Sequence, residues 1–190
     1  MTGDHGRSTP RLILLNGPPA VGKSTLAVRY AEDHPFTLVL DLDQVRRMLG
    51  RWREDPGRAG LLARAAALAA ARAHLESGHD VVVPQLVGRV EFLEQLGATA
   101  AAAGARFCEV FLQDDLASIM GRFAERTRLA ADPTHVDAGE GLARGEVDLA
   151  DYVDRLTALI PQRPNASTVA SSPGDIESTY RRLMAVVDGD

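Results

Sequence analysis

At 190 residues and 20.3 kDa, the chain has the size of one α/β domain and enough length to bury a sizeable core. Apolar residues make up 45% and charged residues 25%, as in an ordinary globular protein, and no apolar run is long enough to span a bilayer. The net charge of −5 argues against a surface built for a polyanion, and the lone Cys108 excludes a disulfide framework and predicts a reducing, cytoplasmic setting.

Residues 1–10 are polar, with Gly3 and Gly6 and no hydrophobic signal core, and predict a frayed tail ahead of a single domain over 11–190. Arg11–Asn16 is an apolar run bounded by polar residues, the pattern of a short buried strand. Helix formers with apolar residues at helical spacing follow over 24–32. Thr37 to Leu42 predicts a second strand, leading into a helix from about Asp43 to Leu49. Residues 58–77 predict a long alanine-rich helix with Leu61, Leu62, Ala65, Leu68, Ala69 and Leu75 as its buried stripe, closed by Gly78. Asp80 to Pro84 predicts a third strand, 88–103 a helix closed by Gly104, Arg106 to Leu112 a fourth strand, and Leu116 to Arg128 another helix. Residues 129–145 break the pattern with Pro133, Gly139, Gly141 and Gly145, as a lid does. Helix returns over 146–160 on Val147, Leu149, Val153, Leu156 and Ile160; a short strand at 166–170 and a last helix over 175–187 complete the chain. Repeated strand–helix units imply right-handed crossovers, hence a three-layer αβα fold with a five-stranded parallel sheet and a lid over about 122–145.

Between the first strand and the first helix lies Gly17-Pro18-Pro19-Ala20-Val21-Gly22-Lys23-Ser24-Thr25, which fits G-x-x-x-x-G-K-[ST], the phosphate-cradling P-loop. Of the 21 lysines and arginines, Lys23 is the one lysine, at the one position where a compact, flexible point charge is needed between the β- and γ-phosphates. Gly17 and Gly22 allow close backbone approach, and the helix start aims N–H groups at an anion. The Ser24 hydroxyl is the expected Mg²⁺ ligand. The motif predicts a nucleoside triphosphate, not what is done with it.

A GTPase needs a guanine-reading Asn-Lys-x-Asp, which cannot occur without a second lysine. Motor ATPases usually carry an acidic residue after an apolar strand, whereas Val81-Val82-Val83 runs into Pro84-Gln85. A small-substrate kinase remains, and it needs a carboxylate base near the γ-phosphate and arginines over the transferring group. Asp41 and Asp43 stand at the end of the second strand, where ligands bind in parallel sheets. If extended, the two side chains face the same way about 7 Å apart, so one can act as base and the other assist Mg²⁺, although Asp43 also reads as a simple helix N-cap. Arg46 falls one turn into the helix on the same side. Arg122 and Arg126 share a helix face at the threshold of the lid, where an anion between them relieves their repulsion.

The segments Gly17–Thr25, Leu40 to Arg46 and Arg122 to Arg126 resemble the three signatures of the small P-loop kinases, a group that includes polynucleotide 5′-hydroxyl kinases, zeta toxins and chloramphenicol phosphotransferase. The resemblance implies Asp43 as general base, Arg46 as acceptor contact and Arg122 and Arg126 as the lid arginines. Two features depart from that pattern. Pro84-Gln85 stands where relatives often carry Asp or Ser followed by Asn, and the acidic composition sits poorly with a polynucleotide substrate. The expectation is an ATP- and Mg²⁺-dependent kinase acting on a hydroxyl of a small molecule such as an antibiotic, nucleoside or sugar. In it Gly17 to Thr25 hold the nucleotide, Ser24 and Asp41 the metal, and Asp43, Arg46, Gln85 and Arg89 the acceptor. Trp52 and Arg53 are further candidates for the acceptor pocket, and Ser171 to Gly174 for the adenine site. A polynucleotide 5′-hydroxyl kinase and a nucleotide-dependent switch with no phosphate acceptor are the alternatives.

Overall fold

The computed structural model describes residues 9–129, 149–172 and 174–189, except for the side chains of 123, 126–129 and 149–152. Most of the expected tail, the expected lid beyond 129 and Pro173 lie outside the described residues. In chain order the elements are β1 (Arg11–Asn16), α1 (Lys23–Asp33), β2 (Leu38–Val39), α2 (Leu42–Arg47), a 3-10 turn (Trp52–Glu54), α3 (Pro56–Glu76), β3 (Val81–Pro84) and α4 (Val90–Ala102). They continue with β4 (Arg106–Gln113), α5 (Leu116–Leu129), α6 (Leu149–Leu159), a second 3-10 turn (Ile160–Gln162), β5 (Ser167–Ala170) and α7 (Ile176–Asp188). The strands form the expected five-stranded parallel sheet, in the order β2-β3-β1-β4-β5. Leu38 pairs with Val81 and Val39 with Val82 at one edge; Val110 to Gln113 pair with Ser167 to Ala170 at the other. Among the described residues no helix is long and apolar enough to cross a membrane.

The chain divides into two compact units. The first takes Met1–Leu14, Ala27–Pro84 and Arg89–Cys108. Its long helix α3 starts on Pro56 behind Asp55, whose side chain accepts from Arg58 N, and Gly78 ends the segment at φ 86°, a left-handed geometry that glycine adopts without a Cβ clash. The buried stripe differs from the expected one. Ala59, Ala63, Ala67, Ala71 and Leu75 face inward, while Leu61 and Leu62 are 61% and 50% exposed. The alanines repeat every fourth residue and form one smooth ridge, which lets α2, α4 and β3 approach α3 closely; counting the larger apolar side chains selects the wrong face. At the start of β1, Arg11 N and the Tyr30 hydroxyl both donate to Asp80, at 2.8 and 2.6 Å.

The second unit takes Leu15–Leu26, Gln85–Gly88 and Glu109–Asp190. Val110, Phe111 and Leu112 of β4 and Leu183 and Val187 of α7 are buried, with α7 packed on β5. In α6 the expected Leu156 is buried, joined by Leu159, whereas Val153 and Ile160 are half-buried. Glu109, 6% exposed, is paired through Oε2 with Arg163 Nη2 at 2.7 Å.

Candidate active site

The end of β1 delivers the chain into residues 17–25 through Asn16, which is completely buried. Its Oδ1 accepts from Gly17 N and Val87 N, both at 2.9 Å, and its Nδ2 donates to the Val87 carbonyl at 2.8 Å. One side chain thus ties the first residue of the P-loop to the segment after β3. Gln85 is held to the same place by its N–H on the Leu15 carbonyl, and its Oε1 is buried without a hydrogen-bond partner. Gly17 is obligatory: a Cβ there would lie 2.8 Å from the Leu112 carbonyl oxygen. Ala20 adopts φ 62°, a left-handed conformation uncommon outside glycine and characteristic of tight ligand loops.

The loop's carbonyls are taken up one after another. Lys23 Nζ donates to the Gly17 and Pro18 carbonyls at 2.9 and 2.7 Å. Arg122 Nε donates to the Ala20 carbonyl at 2.9 Å, Ser171 Oγ to that of Val21 at 2.9 Å, and Leu26 N to that of Gly22 at 3.0 Å. With its acceptors engaged, the loop offers backbone N–H groups and the positive end of α1 to a ligand, the constitution of an anion site. Arg122 adds to this. Its Nη2 is fixed on Asp114 at 2.6 Å, and its Nη1 is buried with no hydrogen-bond partner. A buried guanidinium donor left without an acceptor beside a phosphate loop has the chemistry to take an anionic oxygen.

In the first unit the predicted strand through Leu42 is corrected. The β2 ladder is Leu38–Val39, extended by Leu40 N on the Val82 carbonyl, and α2 begins at Leu42. The reason is Asp41, whose Oδ1 accepts from Asp43 N at 2.8 Å and Gln44 N at 3.3 Å and so caps the helix. Asp41 rather than Asp43 is the cap, and the two carboxylates are not neighbours on one face of an extended strand. Asp43 sits in the first helical turn, half-buried, with its Oδ1 3.0 Å from Arg46 Nη2. The structure therefore brings Asp43 and Arg46 together as expected, by helical i, i+3 spacing. The Arg46 guanidinium lies 4.8 Å from the centre of the Trp52 ring and that of Arg53 lies 4.4 Å from it, while Arg46 Nε is buried without a partner.

Arg89 is exposed at the start of α4 and its side chain makes no cap. The Arg126 side chain lies outside the described residues. Among the described residues no group of three or more His, Cys, Asp and Glu is gathered for a metal. Mg²⁺ on a triphosphate needs only one or two protein oxygens, and the Ser24 hydroxyl, exposed in the first turn of α1, suits that role. Asp41 Oδ1 is occupied by capping, and its Oδ2 accepts from Gln44 Nε2 at 3.5 Å, a long contact that a metal would have to displace.

One site residue escapes the sequence reading: Asn16, whose only signal is a polar residue closing an apolar strand immediately before the loop glycine. The expected adenine-site residue Ser171 has its hydroxyl on the Val21 carbonyl, and Asp114 holds Arg122 from eight positions away.

A family model for the AAA domain matches residues 12–143. No curated protein matches the sequence. Among solved structures, APS kinase CysC of Mycobacterium tuberculosis, in complex with AMPPNP and APS, is similar over 95% of this chain and 99% of its own, with 16% identity and a TM-score of 0.62. A gluconokinase from Sinorhizobium meliloti is similar over 96% and 94%, with 18% identity and a TM-score of 0.59. The tunicamycin resistance protein of Deinococcus radiodurans follows over 94% and 96%, with 15% identity and a TM-score of 0.56. At these identities the likeness is one of fold.

Proposed function

The chain belongs to the AAA domain family (AAA_33) and has a P-loop kinase-like domain, and from that premise we propose that it is an ATP- and Mg²⁺-dependent kinase acting on a small-molecule hydroxyl. The observation that carries this reading is the P-loop itself, its carbonyls engaged by Lys23, Arg122 and Ser171 and a buried Arg122 donor left beside it. ATP as donor is further supported by the AMPPNP complex of the structurally similar APS kinase.

Residues 17–25 bind the triphosphate through backbone N–H groups, and Lys23 leaves the Gly17 and Pro18 carbonyls to follow the β- and γ-phosphate charge. Mg²⁺, held by Ser24 and phosphate oxygens and assisted by Asp41, would offset that charge. Asp43 accepts the hydroxyl proton as the acceptor oxygen attacks the γ-phosphorus and the bond from that phosphorus to the β–γ bridging oxygen breaks, with ADP as leaving group; Arg46 orients both base and acceptor through its 3.0 Å pairing with Asp43. Gln85 and Arg89 complete the acceptor contacts. Arg122, joined by Arg126, neutralises the transferring group. The single cysteine, Cys108, leaves no disulfide framework, and on that ground we assign a reducing cytoplasm as the compartment.

The test is a screen with γ-labelled ATP over hydroxylated metabolites and antibiotics, repeated with Asp43→Asn. We expect a labelled product whose formation falls about 10²–10⁴-fold in the variant while ATP affinity stays near that of the parent. Wild-type turnover in Asp43→Asn would remove the base assignment. Unchanged ATP affinity in Lys23→Ala would remove the P-loop reading.

A further inference from the structure

The first unit, which holds Asp43 and Arg46, carries its positive charge in one place. The whole chain has a net charge of −5, yet residues 46–64 hold six arginines against two acids, Glu54 and Asp55. Glu54 pairs with Arg51 at 2.6 Å, and Asp55 caps α3 on Arg58 N. A positive island in an acidic chain draws anions toward the surface that carries it. This one starts three residues after Asp43, the proposed base.

Two of its arginines meet at one ring. Arg46 and Arg53 place their guanidinium carbons 4.8 and 4.4 Å from the centre of the Trp52 ring, so the two cations stand no more than about 9 Å apart. Trp52 opens the 3-10 turn after Arg51, whose φ of 56° is left-handed and uncommon for a residue other than glycine. That turn and α2 both pack on α3, which fixes the ring relative to the arginine of α2. An indole attracts a nearby cation, but two guanidiniums around one ring also repel each other, at a separation of about one Debye length where salt screens them only in part. An oxyanion shared by the two guanidiniums relieves that repulsion. Arg46 has a donor to give it. Its Nη2 lies on Asp43 at 3.0 Å, while its Nε is buried without a hydrogen-bond partner.

We propose that Arg46 and Arg53, held by Trp52, form an oxyanion subsite for the acceptor, which is a hydroxylated phosphate ester or carboxylate and not a neutral molecule. The Arg46 guanidinium touches both Asp43 and the Trp52 ring, so the anionic group and the reacting hydroxyl belong to one compact molecule. Arg53 adds the second cation and selects for charge, and Trp52 is a positioning residue that holds both guanidiniums. That the bound anion accepts phosphate rests on the kinase reading; that an anion binds there does not.

Trp52 is the one tryptophan of the chain, so its fluorescence reports on this place alone. Glycerol 3-phosphate, glycerate and glycerol, three probes of matched backbone, are titrated against the full chain with ADP present to occupy the P-loop. Both anions are expected to change the Trp52 emission saturably, the tighter of the two naming the group recognised, and glycerol to leave it unchanged. Arg53→Gln and Arg46→Gln should each weaken the anions about tenfold or more. Arg53→Lys, which keeps the charge and loses the fork, should fall between Arg53→Gln and the parent. Arg53 is exposed, so its replacement leaves the fold intact. No saturable response to either anion, an equal response to glycerol, or anion affinities unchanged in Arg53→Gln overturns the subsite. The kinase reading fails on a different result. Anion binding without a labelled product from any acceptor and γ-labelled ATP leaves the subsite standing and removes its role in transfer. A labelled product from neutral acceptors alone, without anion binding, removes the subsite and leaves the kinase.

Discussion

Replacing Asn16 by alanine is the sharpest test of how the phosphate loop is held. The side chain makes three hydrogen bonds of 2.8–2.9 Å to backbone groups, and Asn16 itself is 0% exposed. Alanine leaves the Gly17 N–H, the Val87 N–H and the Val87 carbonyl without it. An unsatisfied buried polar group costs about 1–3 kcal/mol, and the low end applies where a water can enter the vacated volume, so the three together should cost about 3 kcal/mol. Asn16→Asp keeps both acceptor bonds but sets a buried carboxylate oxygen against the Val87 carbonyl, so it should be no more stable than alanine. Urea unfolding monitored by circular dichroism gives the differences from midpoints at a common slope. ATP affinity should fall in parallel, because Gly17 is the residue released. Asn16→Ala within about 0.5 kcal/mol of the parent would mean that the clamp does not exist as drawn.

Gly17→Ala should reduce ATP affinity at least about tenfold, since its Cβ would sit 2.8 Å from a backbone oxygen, that of Leu112, which cannot swing aside; isothermal titration with ATP decides it, and an unchanged affinity would refute the close approach. Arg163→Ala strips the partner from Glu109, whose Oε1 already has none, and should cost about 2 kcal/mol in urea unfolding, less than a fully buried pair because the Arg163 side chain is 21% exposed. Replacing both members by leucine should recover most of that loss, and a double variant no better than the single would contradict the argument. Burial, reinforced by the hydrogen bond to Asp80, raises the Tyr30 phenol above its ordinary value. A raised phenol stabilises the fold fully below the unfolded pKa of about 10 and loses that contribution as pH climbs from there toward the folded value. The thermal unfolding midpoint should therefore fall above about pH 10, more steeply than in Tyr30→Phe; identical slopes would show that Tyr30 does not carry the effect.

What could be read from the sequence depended on whether the determinant was contiguous. Gly17 to Thr25 act as one stretch of backbone, and Arg46 reaches Asp43 by helical spacing, so both were legible without tertiary information. The extended pair at Asp41 and Asp43 was misread because two local preferences compete there. The apolar run Leu38 to Leu40 favours a strand, but Asp41, able to accept two N–H groups, ends it and starts a helix one residue later. The stripe of α3 was misread for the opposite reason, since which face is buried is decided by how near the neighbouring elements come, and alanine wins where they come nearest. The clamp of Asn16 on Val87 and the latch of Arg122 on Ala20 join residues 71 and 102 positions apart, distances over which periodicity carries no information. These long-range contacts are what turn a phosphate-binding motif into a site with a shaped neighbourhood.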